Sequence, residues 1–407
     1  MKVIHKSYKF KLDPTNEQMV LISKHFGACR FVYNRYLNVR KHPYLEYKTT
    51  LNYYDNAVDL TFLKNDEQFI WLKEINSQSL QSSLRNLDAA YNKFFRKQTE
   101  FPIFKSKYDR QSFTIPQSIY IEDSKLWIPK FKQGININLH RKIEGKICFA
   151  TISKSKTGKY YVSITCEVEH TPFEKTDSSI GIDTGIKNLA ILSDGKVYQN
   201  TKPLKTNLKK LKYNQRQLSK KVKGSNSRLK QQSKLATIYE KVTNTRNDYL
   251  HKVSTEIIKN HDVICIETLM VKNMMKNHKL AQALSDVALG TFYNMLEYKS
   301  IWNDKTVIKI DRFFPSSKTC SKCNYINQEL TLKDREWICT SCNTVHDRDL
   351  NASINIENQG LKILSGLGTN SDTKQKRSEA LPLGESMTSE AHFISHDVVE
   401  QFTDIQT

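Results

Sequence analysis

The chain has 407 residues, enough for two or three domains with hydrophobic cores, and carries a formal net charge of +21 at pH 7. So much positive charge is extreme for a metabolic enzyme and favours a partner with a regular run of phosphates. An anionic membrane is the alternative partner. The chain has no apolar run of about 18 residues and no signal-peptide pattern, so a spanning or secreted protein is not expected.

The N-terminal part alternates β and helical patterns. "SYKFKLD" predicts a half-buried strand, and Asp13-Pro14 predicts a helix start with Asp13 as N-cap, followed by a helix to about residue 40. A second helix is predicted over 77–96. Its apolar stripe consists of Leu80, Leu84, Leu87, Tyr91 and Phe94.

Residues 100–175 have the character of strands, because "YYVSITCEVE" alternates strictly between apolar and polar positions. A helical insert between β segments predicts an N-terminal β-barrel interrupted by a helical lobe.

After about residue 178 the pattern changes to an α/β domain. It predicts a strand, a turn at Asp194-Gly195 and another strand, followed by a basic helical stretch over 202–260. A buried strand "DVICIE", further helix, the strand "KTVIKID", a cysteine cluster and a last helix complete it. From about 361 the chain is rich in Ser, Thr and Gly, which predicts a disordered tail.

The eight cysteines do not form a disulfide pattern, which favours a reducing cytoplasm. Four are scattered in apolar surroundings and are predicted to be buried thiols: Cys29, Cys148, Cys166 and Cys265. The other four are Cys320-x-x-Cys323 and, after fifteen intervening residues, Cys339-x-x-Cys342. This spacing is typical of a four-thiolate zinc site. A closed sulfur shell leaves no position for water, so the predicted role is structural.

Three acidic residues are candidates for chemistry. Asp183 lies inside a strand pattern, where Asp is disfavoured, and Glu267 ends the apolar run "VICIE". Asp349 falls in the first turn of the last helix, where the helix dipole favours a carboxylate. The simpler alternatives are a hydrogen-bonded turn for Asp183 and N-capping for Asp347 or Asp349.

Two further motifs share the letters Asp-Thr-Gly. An aspartic protease would not need this charge, and an actin-like ATPase would explain neither the thiolates nor the basic helices. Two acids at β elements and one at a helix start instead suit a ribonuclease-H-like site with two Mg²⁺ ions, which prefer oxygen ligands.

Several segments resemble the TnpB nucleases, transposon-encoded relatives of type V CRISPR effectors, over roughly residues 1–358. The matching segments include "GIDTGIKNLAILSDG", "FFPSSKTCSKC", "CTSCNTVHDRDLNASINI", "GACRFVYNRYL" and "FPIFKSK". The resemblance implies a multidomain α/β protein. The implied domains are a wedge-type β-barrel (1–12 and 100–177), a helical recognition lobe (13–99), a RuvC domain (178–315 and 344–360) and a zinc-binding insert (316–343).

The resemblance also implies site residues. The catalytic, magnesium-binding triad maps onto Asp183, Glu267 and Asp349, while Asp347 and Arg348 could position the site. Residues in the positions that read a short DNA motif are Tyr53, Ser77, Gln81 and Thr114. Ser77 falls where relatives can carry lysine, which leaves the preferred motif open.

Residues 202–234 carry many lysines and arginines without any Asp or Glu. The solvent-exposed face of a helix normally carries both positive and negative side chains. A stretch with positive side chains alone therefore favours contact with a polyanion. The resemblance implies that RNA and the guide–target heteroduplex occupy such surfaces. The predicted backbone-contact residues are Lys209, Lys210, Lys212, Arg216, Lys220, Lys221, Lys223, Arg228 and Lys230.

The expected protein is therefore an Mg²⁺-dependent, RNA-guided DNA endonuclease in a bacterial or archaeal cytoplasm, associated with the nucleoid. Its expected partners are a transposon-derived guide RNA and double-stranded target DNA, with no membrane. Two alternatives stay open: an RNA-guided DNA-binding repressor that does not cleave, and a small CRISPR-associated type V effector.

Overall fold

The computed structural model describes residues 1–47, 51–331 and 333–366. It divides into two compact units, Met1–His170 and the residues from Thr171 onward. The sequence places this boundary after residue 177. Within the described residues, no helix is long and apolar enough to cross a membrane.

The first unit contains a seven-stranded antiparallel sheet with the order β2-β6-β7-β1-β5-β4-β3. Its strands are β1 (Lys2–Asp13), β2 (Gln111–Ile115), β3 (Tyr120–Glu122), β4 (Lys125–Trp127), β5 (Ile135–Asn138), β6 (Lys146–Lys154) and β7 (Tyr160–His170). The predicted alternation is confirmed in β1 and β7, whose apolar residues, such as Phe10 and Val162, are buried.

Between β1 and β2 lie the helices α1 (Asn16–Tyr47), α2 (Tyr53–Leu63) and α3 (Ser77–Phe95), and a 3₁₀ helix (Glu67–Glu74). The predicted stripe of α3 is confirmed, with its three leucines buried. The prediction that Asp13 caps the first helix is wrong, because Asp13 still pairs with Asn136 in the sheet. Thr15 caps instead: its hydroxyl accepts from the Gln18 N–H, and Gln18 Oε1 accepts from the Thr15 N–H.

The second unit is built on a five-stranded sheet with the order β10-β9-β8-β11-β12. Its strands are β8 (Ser179–Thr184), β9 (Asn188–Leu192), β10 (Val197–Gln199), β11 (Val263–Glu267) and β12 (Thr306–Ile310). β8, β9 and β10 are antiparallel, whereas β8, β11 and β12 are parallel. The predicted turn at Asp194-Gly195 is confirmed, and Gly195 has the positive φ of 89° that favours glycine.

Helices of the second unit are α4 (Pro203–Ser219), α5 (Asn226–Asn260), α6 (Val271–Met274), α7 (His278–Val287), α8 (Leu289–Trp302) and α9 (Arg348–Leu364). The basic stretch is thus two helices, broken at 220–225. Helix α9 continues past the predicted start of the tail at 361. Residues 367–407 of that tail lie outside the described residues.

A two-stranded sheet of β13 (Glu336–Ile338) and β14 (Val345–Asp347) accompanies the cysteine cluster. Of the four scattered cysteines, Cys29, Cys166 and Cys265 are buried as predicted. Cys148 is only half-buried.

Candidate active site

Asp183, Glu267 and Asp349 lie on three different elements and line one cavity of about 310 Å³. Asp183 is near the end of β8, and Glu267 is the last residue of β11. These parallel strands pair Ile182 with Ile266, so the next residue of each strand carries its carboxylate at the same level of the sheet. Asp349 comes from the first turn of α9.

Two glycines let α9 lie directly against the strands that carry the other two acids. A Cβ at Gly181 would lie 2.0 Å from the Ser353 carbonyl oxygen of α9, and one at Gly360 would lie 2.2 Å from Cys265 Sγ of β11. Any larger side chain would push the helix outward. The distance between Asp349 and the strand ends therefore depends on these glycines, which the sequence patterns do not single out.

Burial makes Asp183 and Glu267 reluctant to ionise, and repulsion from the neighbouring acids adds to this effect at Asp183. Burial raises the pKa of Asp183 well above its ordinary value, and the nearby Glu267 and Asp349 raise it further, while the charge of Arg348 and a hydrogen bond from the Thr184 backbone oppose them. Burial also raises the pKa of Glu267, partly offset by a hydrogen bond from Ser316. A bound cation would relieve both costs.

Helix capping and two arginines hold Asp349. The Asp347 carboxylate accepts from the backbone N–H groups of Asp349 and Leu350, at 3.0 and 2.9 Å, so Asp347 is the capping member of the acidic pair. Arg348 donates to Asp349 Oδ1 from Nη2 at 2.9 Å, and Arg335 Nη1 lies 3.3 Å from Oδ2. Arg335 comes from between the two cysteine pairs, and no spacing in the sequence indicates its place here.

Two hydroxyl contacts at the site were also missed from the sequence. Ser316 Oγ donates to Glu267 Oε1 at 2.5 Å, and Tyr293 Oη lies 2.8 Å from Thr184 Oγ1, next to Asp183. Ser316 stands inside the quoted segment "FFPSSKTCSKC", so its neighbourhood was visible but its contact was not. These hydroxyls fix the strand ends that present the acids.

The donor set fits magnesium, because all three acids offer hard oxygen ligands. In the described part of the chain, the four cysteines are the one group of three or more His, Cys, Asp or Glu residues whose ligand atoms all lie within 4.8 Å of one another. The carboxylate oxygens of Asp183, Glu267 and Asp349 thus line one cavity but do not all lie within 4.8 Å of one another. To bind a cation, Asp349 would have to give up contacts with the guanidinium groups of Arg335 and Arg348.

The four cysteines fit zinc. Cys320 and Cys342 have their sulfurs 3.6 Å apart, and those of Cys323 and Cys339 are 3.5 Å apart. A tetrahedron with Zn–S bonds of about 2.3 Å requires sulfur separations of roughly 3.8 Å. His346 Nε2 lies 3.0 Å from Cys320 Sγ and is buried, so it supports the cluster from outside.

The predicted backbone-contact residues occupy α4, the 220–225 turn and the start of α5. On α4, Lys209, Lys210, Lys212 and Arg216 are exposed. Arg228 differs, because its Nη1 donates to the Leu218 and Lys221 carbonyl oxygens and so closes the turn between the helices. A structural role is visible for Arg228; nucleic-acid contact stays a prediction.

The four predicted DNA-reading residues lie in the first unit. Tyr53 begins α2, and the Arg85 guanidinium lies 5.5 Å from its ring centre. Ser77 begins α3 and is exposed, with Lys64 Nζ 3.4 Å from its hydroxyl. Gln81 is half-buried on α3, and Thr114 of β2 shares a hydrogen bond with Thr151 at 3.1 Å. Their role stays a prediction.

Comparison with known families matches three separate parts of the chain. A family described as "Probable transposase" (OrfB) matches residues 163–278, a "Cas12f1-like, TNB domain" matches 290–356, and a "Helix-turn-helix domain" matches 1–49. The structure titled "Cryo-EM structure of the Cas12f1-sgRNA-target DNA complex" covers 87% of the chain and 99% of its own, at 16% identity and a TM-score of 0.34. A score this low establishes no shared arrangement.

Two relatives match over most of their lengths. "Putative RNA-guided DNA endonuclease" of Streptomyces pristinaespiralis is 37% identical over 365 residues, which cover 89% of this chain and 90% of the relative. "Putative RNA-guided DNA endonuclease InsQ" of Escherichia coli (strain K12) is 34% identical over 377 residues, 88% of this chain and 93% of the relative. The chain therefore belongs to the OrfB family of transposon-encoded proteins, the family of the TnpB proteins that its motifs resemble.

Proposed function

We propose that this chain is an RNA-guided DNA endonuclease. A transposon-derived guide RNA pairs with one strand of a target DNA beside a short flanking motif, and the phosphodiesters of both strands are hydrolysed in the carboxylate cavity. The observation that carries the proposal is the meeting of Asp183, Glu267 and Asp349, three acids from distant segments, in one cavity. The names of two relatives more than 30% identical support it.

The order and direction of the strands in the second unit support a RuvC, ribonuclease-H-like domain over 178–315 and 344–360. Three antiparallel strands are followed by parallel ones, with α9 packed on β8. The close sulfurs support a zinc ribbon over 316–343. In the first unit, the seven-stranded sheet supports the wedge barrel, with the recognition lobe over 13–99 inserted after β1.

Asp183, Glu267 and Asp349 would hold two magnesium ions. When bound, these ions would activate the attacking water and stabilise the leaving oxygen. Arg335 and Arg348 would face the anionic DNA backbone once Asp349 ligates a cation, because both line the same cavity. Tyr293 holds Thr184 and so keeps the end of β8 in place.

A plasmid cleavage assay tests the proposal. Protein purified with its bound RNA should cut a plasmid that carries a guide-matched target, in Mg²⁺ but not in EDTA, and should leave a mismatched plasmid intact. Sequencing of the bound RNA should give one defined species that ends in a variable segment. Binding of the matched plasmid without cutting would favour the repressor, and random RNA fragments would contradict RNA guidance.

The basic helices supply the nucleic-acid contacts in this proposal. Replacing Lys209, Lys210 and Lys212 by Gln should flatten the dependence of log affinity for RNA on log salt by about 0.7 per lost contact, because fewer counterions are released. Lys252→Gln, at an exposed ion pair with Asp248 and outside residues 202–234, is the matched comparison and should leave the salt slope unchanged. Arg228→Gln should in addition lower the thermal midpoint, because the Arg228 side chain closes the turn between the two helices.

A further inference from the structure

Among the described residues, the Glu267 carboxylate accepts one side-chain hydrogen bond, and Ser316 donates it. Its hydroxyl is 2.5 Å from Glu267 Oε1, and its side chain is buried. Because a carboxylate accepts and a hydroxyl donates, this bond fixes the direction in which the second carboxylate oxygen can reach a ligand.

The backbone around Ser316 is held by two buried amides of α9. Asn355 Nδ2 donates to the carbonyl oxygens of Ser316 and Thr319, at 2.8 and 2.6 Å. Asn351 Nδ2 donates to the same Thr319 oxygen at 2.7 Å, and its Oδ1 accepts from the Ser321 N–H at 2.9 Å. The helix that carries Asp349 thus also clamps the segment that carries Ser316.

The same segment runs directly into the cysteine cluster. Cys320 is fully buried and follows Thr319, the residue that both amides hold. Residues 316–320 are therefore fixed at one end by their contact with Glu267 and at the other by the sulfur cluster. Binding or loss of zinc at the cysteines should therefore move the Ser316 hydroxyl relative to the Glu267 carboxylate.

We propose that Ser316 is a positioning residue that orients Glu267 for cation binding, and that residues 316–320 couple this orientation to zinc at the cysteines. The inference rests on the proposed function, because it takes Glu267 as a magnesium ligand. The four cysteines then do more than stabilise their own segment, because they also help to orient Glu267, a ligand of the other metal site.

Ser317 provides a matched control. Ser317 lines the same cavity, but within the described part of the chain its hydroxyl makes no side-chain hydrogen bond and does not contact Glu267. Ser316→Ala and Ser317→Ala therefore remove the same hydroxyl from neighbouring positions, and Ser316→Thr restores it.

The test measures Mn²⁺ binding by electron paramagnetic resonance on zinc-loaded full-length protein without target DNA. Asp183→Ala serves as the blank for Mn²⁺ held by bound RNA. We expect Ser316→Ala to weaken Asp183-dependent binding by about 10- to 100-fold, the usual effect of losing a group that supports a metal ligand. Ser317→Ala should bind as the wild type does, and Ser316→Thr should recover most of the loss. Thermal unfolding of each variant separates this effect from a folding defect.

Coupling is tested with Cys342→Ser, which opens the cluster at its half-buried sulfur. It should weaken Mn²⁺ binding as well, and adding Ser316→Ala should cost little more, since both changes release the same segment. Equal binding by Ser316→Ala and the wild type would overturn the positioning role, and additive losses would overturn the coupling. If the wild type bound no Mn²⁺ in an Asp183-dependent way, the proposed function itself would fail.

Discussion

The two metal-ligand clusters of the second unit are built in opposite ways. The four sulfurs come from one short stretch, 320–342, and already lie within 4.8 Å of one another. The three carboxylates are spread from 183 to 349 and share a cavity without reaching that spacing. Ser316 engages a Glu267 oxygen, and Arg335 and Arg348 engage the two oxygens of Asp349.

This difference separates a structural site from a chemical one. Four thiolates complete a tetrahedral shell and leave no place for water or substrate. Three carboxylates leave positions open on a cation, and cation binding would have to overcome the raised pKa values of Asp183 and Glu267 and the arginine contacts of Asp349. Under the proposed function, the first site is complete in itself, whereas the second would need cations and a phosphodiester.

The largest expected effect is on the chemistry. Asp183→Ala should lower DNA cleavage by at least about a thousandfold, because loss of a metal ligand removes several kcal/mol of transition-state stabilisation. Binding of RNA and target DNA should be unchanged. Plasmid cleavage under single-turnover conditions measures the rate, with Asp248→Ala, at an exposed ion pair with Lys252, as control. Undiminished cutting by a nuclease-free preparation of Asp183→Ala would refute the assignment.

Opening the sulfur cluster should cost stability first. Cys339→Ser should abolish stoichiometric zinc and lower the thermal midpoint, because structural zinc contributes directly to folding free energy. Elemental analysis and thermal unfolding measure the two effects. Cys148→Ser, at a half-buried cysteine outside the cluster, should change neither. Full zinc content in Cys339→Ser would show that the cluster is not the zinc site.

A smaller effect should appear in the pH dependence of stability. The raised pKa of Asp183 means that the folded protein binds more protons than the unfolded chain above pH 3.8, so the free energy of unfolding falls as the pH rises toward the raised value. Asp183→Asn cannot ionise. Without divalent cations, it should therefore be more stable than the wild type at neutral pH, and the difference should shrink toward pH 4.

Thermal unfolding from pH 4 to 8 measures this difference, and Mg²⁺ should reduce it by stabilising the wild type alone. Asp248→Asn, at an exposed ion pair with Lys252, is the control for the loss of one surface carboxylate. A wild type more stable than Asp183→Asn at neutral pH without cations would mean that burial and the neighbouring carboxylates do not disfavour the ionised form of Asp183.

The same contrast explains what could be predicted from the sequence. The sulfur cluster could be predicted because its ligands are neighbours in the chain and their spacing reflects the turns that hold them. Strict alternation likewise predicted β1 and β7. For Asp183 and Glu267, local pattern left simpler readings open, and family resemblance was needed to connect them with Asp349.

Contacts made across the fold were not predictable. Arg335 and Ser316 reach the carboxylates from segments without any periodic signal, and Gly181 matters only because α9 packs on it. The start of α1 was misplaced because sheet pairing of Asp13 overrides its capping preference. The break at 220–225 was missed because lysines continue through it.

Manganese anomalous scattering from crystals of the zinc-loaded protein tests the central claim most directly. Mn²⁺ should lie between Asp183, Glu267 and Asp349, with Asp349 released from at least one arginine and zinc at the cysteines. Manganese bound elsewhere, with Asp349 still held by both arginines, would contradict the hydrolytic role of this cavity.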